Sequence, residues 1–189
     1  MARLFVAAKI APDVIEKLCR AEAGLEKSLG DIRWVRRENL HLTLKFLGEV
    51  ADERIADIGE ALERALAPLS RVAVSTRGLG VFPDIRRPKA LWAGLDAAPL
   101  APLARAVEDA LAALGFAREK REFKPHLTLG RWRAFAGRAD ALRGEIEQWR
   151  GRDFGVSEIK EAVLFQSALK PDGAVYTALR VFPLGARPD

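Results

Sequence analysis

The chain contains two histidines, and both stand in the same tetrapeptide: His41-Leu42-Thr43-Leu44 and His126-Leu127-Thr128-Leu129, 85 residues apart. An imidazole titrates near neutrality, so a pair of them can give one reaction both a neutral base and a charged acid. Residues two apart on a strand share a face, so each copy predicts an imidazole and a hydroxyl together, roughly 7 Å apart, with both leucines turned to the core. Two such faces meeting across a cleft suit a phosphodiester. The threonine hydroxyls can hold the non-bridging oxygens, and the imidazoles can stand beside the attacking and departing oxygens. A lone strand histidine is ordinarily a satisfied surface residue. A repeat kept only for packing, however, would preserve the leucines and have no need of outward His and Thr. No His-x-His, His-Glu-x-x-His or Gly-x-x-x-x-Gly-Lys segment occurs, so neither a metal centre nor a phosphate loop is expected.

The elements that must carry these residues repeat as well. Arg3–Ile10 reads as a buried strand, and Pro12 suits the first turn of a helix whose spacing (Ile15, Leu18, Glu22, Leu25, Leu29) runs to Gly30. Asp52 is a plausible N-cap for a second helix with the stripe Ile55, Ile58, Leu62, Ala65, Leu66 and Leu69. A third helix is expected after Pro99 and Pro102, with Gly115 as its stop, and a fourth over Ala139–Trp149. Strands are expected over Arg71–Phe82, Lys89–Leu95, Phe154–Phe165 and Ala174–Phe182, the last after a Pro171-Asp172-Gly173 turn. Two rounds of strand, helix, His-x-Thr strand, helix and strand, about 3–83 and 89–167, predict an α+β fold. It has two pseudo-symmetric lobes, each an antiparallel sheet with helices on its outer face, around a central cleft. No linker separates them, so residues 1–189 are read as one bilobal domain.

With 189 residues, 49% hydrophobic and 30% charged, the chain is globular rather than disordered. The apolar run Leu4–Ala8 is too short for a signal-peptide core or a membrane span. The single cysteine, Cys19, excludes an internal disulfide and a cysteine zinc ribbon, so a reducing, cytoplasmic setting is expected. The net charge of +5 is local in origin. Arg33, Arg36, Arg37 and Lys45 surround His41, and Arg118, Lys120, Arg121, Lys124, Arg131 and Arg133 surround His126. The two segments read as an electrostatic funnel for phosphate, or as solvated charges protecting sheet edges.

Strict alternation places Lys45 on the His41 face and Phe46 with the core leucines, and it puts Arg131 on the leucine face unless the strand bulges or ends at Gly130. Phe46, Trp34 and Trp132 are candidates to stack on a base, Lys45 and Ser167 are candidate substrate contacts, and Tyr176 is read as packing.

The segment Trp34–Gly48 around the first motif and Lys124–Arg131 around the second resemble the 2H phosphoesterase superfamily. Within it they are similar to the bacterial and archaeal RNA 2′,3′-cyclic phosphodiesterases, also called 2′-5′ RNA ligases or LigT-like proteins. Arg3–Ala7, Val163–Phe165 and Leu169–Gly173 extend the resemblance over nearly the whole chain. It departs at Arg37, where the pattern has proline, and at Gln166, where arginine is common. The resemblance implies one lobe built from both chain termini and another from the middle. It also implies metal-independent hydrolysis of an RNA 2′,3′-cyclic phosphate end to a 2′-phosphate, with no cofactor. His41 would then be the proton donor, His126 the proton acceptor, and Thr43, Thr128 and Arg131 the phosphate-binding residues. The expected partner is RNA bearing that end, tRNA fragments among the candidates, acted on by a monomer away from membranes. Alternatives at the same site are ATP-independent 2′-5′ ligation and cleavage of a small cyclic nucleotide. A non-catalytic RNA-binding module is the rival from another class.

Overall fold

The structure, a computed structural model, describes residues 1–30, 32–171 and 173–185. Asp172, the middle of the expected turn, lies outside them. In chain order the elements are β1 (Ala2–Ala8), α1 (Pro12–Leu29), β2 (Ile32–Trp34), β3 (Leu42–Val50), α2 (Ile55–Leu66), β4 (Val72–Phe82), β5 (Ala90–Leu95), α3 (Ala97–Ala113), β6 (His126–Trp132), α4 (Ala139–Trp149), β7 (Asp153–Ile159), β8 (Glu161–Lys170) and β9 (Gly173–Pro183). The strands form one antiparallel sheet in the order β7-β4-β5-β6-β3-β1-β8-β9, with β2 added beside β6. One half, β3-β1-β8-β9, comes from both ends of the chain; the other, β6-β5-β4-β7, comes from its middle.

Amphipathic spacing explains why the helices lie on one face of this sheet. In α1, Val14, Ile15, Leu18, Ala21, Leu25 and Leu29 are buried, the i, i+3/i+4 stripe that a core-facing helix needs. Helix α2 buries Ile58, Leu62 and Leu66, and α3 buries Leu100, Leu103, Val107 and Leu111. Helices α2 and α3 pack together, as do α1 and α4. Their leucines merge with those of the strands into a single core.

Two boundaries differ from expectation. Helix α3 starts at Ala97, so Pro99 and Pro102 lie inside it; Pro99 falls in the first turn, whose N–H groups have no intrahelical partner, whereas Pro102, the sixth residue, forgoes one backbone bond. The expected strand Phe154–Phe165 is two strands that part at Lys160. The first pairs with β4 and the second with β1, so the chain crosses there from the middle half to the terminal half. Strand β2 was not apparent from the sequence. Asp52 begins a short 3-10 turn, Asp52–Arg54, and makes no side-chain cap.

The repeat is preserved in hydrogen-bond register. Ala8 pairs with Leu42 and Ala7 with Thr43; likewise Ala93 pairs with Leu127 and Trp92 with Thr128. In both halves the register then skips one residue. Val6 is opposite Lys45, passing over Leu44, and Leu91 is opposite Gly130, passing over Leu129. Each His-Leu-Thr-Leu therefore ends in a β-bulge. An extra residue shifts the side-chain alternation beyond it by one; in β3 the shifted phase runs to Leu47, where the register skips again between Phe46–Phe5 and Gly48–Leu4.

Candidate active site

Strands β3 and β6 meet where Leu42 faces Leu127, both fully buried. Leu42–Leu127 is the one β3–β6 pair among the described residues, and His41 and His126 each directly precede it, so both lie at the junction of the two strands. Diagonal neighbours in such a pair have Cβ atoms about 7–8 Å apart or somewhat less, so the two imidazoles come to one place. Beyond this meeting point the strands diverge, β3 following β1 and β6 following β5 and β2. The divergence opens the cleft.

Both rings are held in the same way. His41 Nδ1 lies 2.6 Å from the Asn39 carbonyl oxygen, and His126 Nδ1 lies 2.7 Å from that of Lys124. A carbonyl only accepts, so each Nδ1 carries the proton and donates it. Each neutral ring therefore leaves Nε2 with a lone pair, and in each charged ring Nε2 carries the exchangeable proton. His41 Nε2 is 3.1 Å from Thr43 Oγ1.

Aromatic rings fix both imidazoles in place. Phe5 and Tyr176 pack on His41 at centroid distances of 5.0 and 5.3 Å, and Phe82 packs edge-on to His126 at 4.9 Å. Trp92, across from Thr128, lies over Gly80, where any β-carbon would come within 2.2 Å of the indole. Only glycine leaves room for that ring.

Burial pushes the pKa of both histidines below the ordinary imidazole value, and in each the carbonyl at Nδ1 partly offsets the shift. The charge of His126 lowers His41 further, which puts the two rings within electrostatic reach of each other. The guanidinium of Arg131 lowers His126 in the same sense. Burial raises the Tyr176 phenol, against the opposing charges of Arg131 and Arg3.

The bulges redistribute the remaining candidates. After Leu129 the phase shift puts Arg131 on the cleft side, exposed, where its charge reaches His126 and Tyr176. Trp132 goes the other way. It is 6% exposed, lies in the core and donates its indole N–H to the Leu29 carbonyl at 3.1 Å, so it is no platform for a base. The half-buried Trp34 packs against the same core.

In the first copy Lys45 turns away from His41. It is 8% exposed and bound to Glu108 at 2.7 and 2.8 Å and to the Ala117 carbonyl at 2.9 Å. Phe46, expected in the core, is 67% exposed, with its ring 6.0 Å from Phe5. The expected funnel is smaller than the charge count suggests, since Arg118 is also paired, with Asp109 at 2.6 Å.

Ser167 is half-buried opposite Tyr176, while Gln166 faces Leu4 on the other side of the sheet. Tyr176, expected only to pack, stands beside His41, a place that follows from the β8–β9 register, which no local pattern announces. A cavity of about 300 Å³ opens beside His41, lined by Lys9, Arg36, Asn39, Phe165 and Tyr176 among others. A larger one of about 460 Å³, between Ser70–Ala73 and Pro99–Leu103, contains neither histidine. Among the described residues no group of three or more His, Cys, Asp or Glu could hold a metal ion, and no helix is long and apolar enough to cross a membrane.

Comparison with known proteins agrees with this geometry. The family model "LigT like Phosphoesterase" matches residues 8–92 and again 95–176, one match for each half. An Archaeoglobus fulgidus protein named RNA 2′,3′-cyclic phosphodiesterase is 37% identical, over 95% of this chain and 99% of its own. A Methanocaldococcus jannaschii protein of the same name is 32% identical, over 94% of this chain and 98% of its own. The crystal structure of TT0787 of Thermus thermophilus superposes with a TM-score of 0.83 at 28% identity, covering 98% of this chain and 100% of that one. With both motif-bearing halves matched and relatives of this identity over nearly their full length, the chain belongs to the LigT-like phosphoesterases of the 2H superfamily, a family of hydrolytic enzymes.

Proposed function

We propose that the chain hydrolyses the 2′,3′-cyclic phosphate at an RNA end to a 2′-phosphomonoester, using His41 as acid and His126 as base. The observation that supports this reading is the Leu42–Leu127 pairing, next to which both imidazoles donate Nδ1–H to a backbone carbonyl. Neutral His126 takes a proton from water at Nε2 as the water oxygen attacks phosphorus. The bond from phosphorus to O3′ breaks, and O3′ takes the proton from Nε2 of charged His41. The proton gained by His126 and that lost by His41 balance through solvent. Thr43 and Thr128 hold the non-bridging oxygens, and Arg131 offsets the charge that builds on them. Arg131 also fits the assignment of roles: its charge opposes protonation of His126, in keeping with a neutral base there.

The two lobes differ in chemistry where they agree in geometry. Across the terminal half runs a row of rings, Phe165–Phe5–Phe46, and across the middle half the matching row is Phe82–Ala90–Arg131. The departing O3′ belongs to the terminal nucleoside, so that nucleoside lies on the His41 side, with Phe46 and Tyr176 offering faces to its base. Both imidazoles come from one chain, so a monomer contains the whole site. With an RNA 5′-hydroxyl in place of water, the same proton transfers would join two ends through a 2′-5′ bond without ATP.

End-group analysis of a short RNA bearing a 2′,3′-cyclic phosphate tests the proposal. A 2′-phosphate product, formed equally with chelator, is expected. A 3′-phosphate product, or full turnover by either His41→Ala or His126→Ala, overturns it.

A further inference from the structure

Strand β2 brings a second arginine to the first. Arg33 is directly opposite Arg131 in the β2–β6 ladder, between the pairs Ile32–Trp132 and Trp34–Gly130. Directly opposed residues of an antiparallel pair share a face, with Cβ atoms about 4.5–5.5 Å apart, and like charges placed so repel. Ile32 and Trp132 are buried on the core side, so Arg33 and Arg131 both emerge on the opposite, cleft side, and both are exposed. Elsewhere Lys45, Arg118 and Arg180 are paired with Glu108, Asp109 and Glu63. Neither Arg33 nor Arg131 forms a salt bridge among the described residues. Two unpaired guanidiniums held against each other on a ladder cost stability, and a polyanion is the ligand that would relieve the repulsion.

Resting on the reading of the cleft given above, we propose that Arg33 binds the phosphodiester next to the terminal cyclic phosphate, so that the site takes RNA chains in preference to cyclic mononucleotides. Arg131 serves the reacting phosphate, and Arg33, one strand further out along the same row, serves its neighbour in the chain. A mononucleotide has no second phosphate and makes no use of Arg33. The contact is ionic and carries no base preference.

The test compares Arg33→Ala, Arg33→Lys and the wild type on two substrates, a short RNA ending in a 2′,3′-cyclic phosphate and 2′,3′-cyclic AMP. Loss of one charge-assisted contact at an exposed site should lower kcat/KM on the RNA by about tenfold in Arg33→Ala. It should also flatten the slope of log kcat/KM against log salt by about 0.7, the value for one single-strand phosphate. Arg33→Lys should keep the wild-type salt slope, and all three proteins should turn over the cyclic mononucleotide alike. Equal losses on both substrates would place Arg33 at the reacting phosphate and overturn the proposal, as would an unchanged rate on RNA. A parallel anisotropy titration with a 3′-phosphorylated RNA reads the same contact without turnover. If the wild type cleaves neither substrate, the hydrolase reading fails, while weaker RNA binding by Arg33→Ala still decides this proposal by itself.

Discussion

Phe46 and Arg131 are structural equivalents. Each lies five residues beyond its motif histidine, each follows a bulge, and their partners on the adjacent strands, Phe5 and Ala90, are themselves 85 residues apart. A duplicated scaffold thus presents an aromatic face at one site and a cation at the other, which gives the cleft a direction.

That equivalence separates two kinds of loss. Arg131→Ala should lower kcat and kcat/KM together by about 10²–10³, the size of a lost oxyanion donor. Phe46→Ala should raise KM by roughly 5- to 100-fold, the worth of one stacked base, with kcat nearly kept. An abasic 2′,3′-cyclic phosphate should not distinguish Phe46→Ala from the wild type; steady-state kinetics on both substrates decides.

The activity profile against pH should be a bell whose limbs belong to the histidine pair. Both imidazoles are lowered by burial, so the kcat/KM optimum should fall on the acid side of the ordinary imidazole value. The bound phosphate anion favours imidazolium, so the kcat optimum should lie above that of kcat/KM. Arg131→Ala removes a positive charge that disfavours protonated His126, and its optimum should move to higher pH. A profile unmoved in that variant would falsify the coupling. Each His→Ala variant should lose about 10²–10⁴ in turnover.

Lys45 anchors the segment leading to the second motif. Its ammonium joins Glu108 and the Ala117 carbonyl, and Glu108 also accepts the Glu119 N–H at 2.8 Å. Lys45→Ala leaves a half-buried carboxylate without its cation and should cost roughly 3 kcal/mol. For a chain of this size that corresponds to a Tm lower by roughly 6–12 °C. The pair replacement Lys45→Met with Glu108→Leu should recover most of the loss, as read by thermal melts.

Glu22 gives a separate signature. Burial raises its carboxyl from the ordinary 4.5 to about 7, and Oε1 has no hydrogen-bond partner. The folded state therefore binds more protons than the unfolded one between these values. Stability is full below the unfolded pKa and declines as pH rises through about 7. Glu22→Gln should melt like the wild type near pH 4.5, and at pH 8 its Tm should be higher by roughly 2–4 °C, an effect discounted for partial exposure.

Much of this was legible in the amino-acid order. Alternation within His-Leu-Thr-Leu placed His41, Thr43, His126 and Thr128 on one face because, up to the bulge, nothing interrupts the two-residue period. Helix α4 matches its expected bounds, and α1 its start and stop, because their apolar spacing and stop residues are local properties. Only tertiary pairing decided which way the residues after each motif point. The extra residue at Leu44 and Leu129 turned Lys45 and Trp132 inward and Phe46 and Arg131 outward, and no residue type marks such a bulge. The doubled motif held one clue: Leu47 and Trp132, six residues after each histidine, are both apolar, and only a shifted phase turns both toward the core. The break at Lys160 and the place of Tyr176 carried no local signal. A strand's partner lies far away in the chain, so its register is settled by the sheet it joins rather than by its own residues.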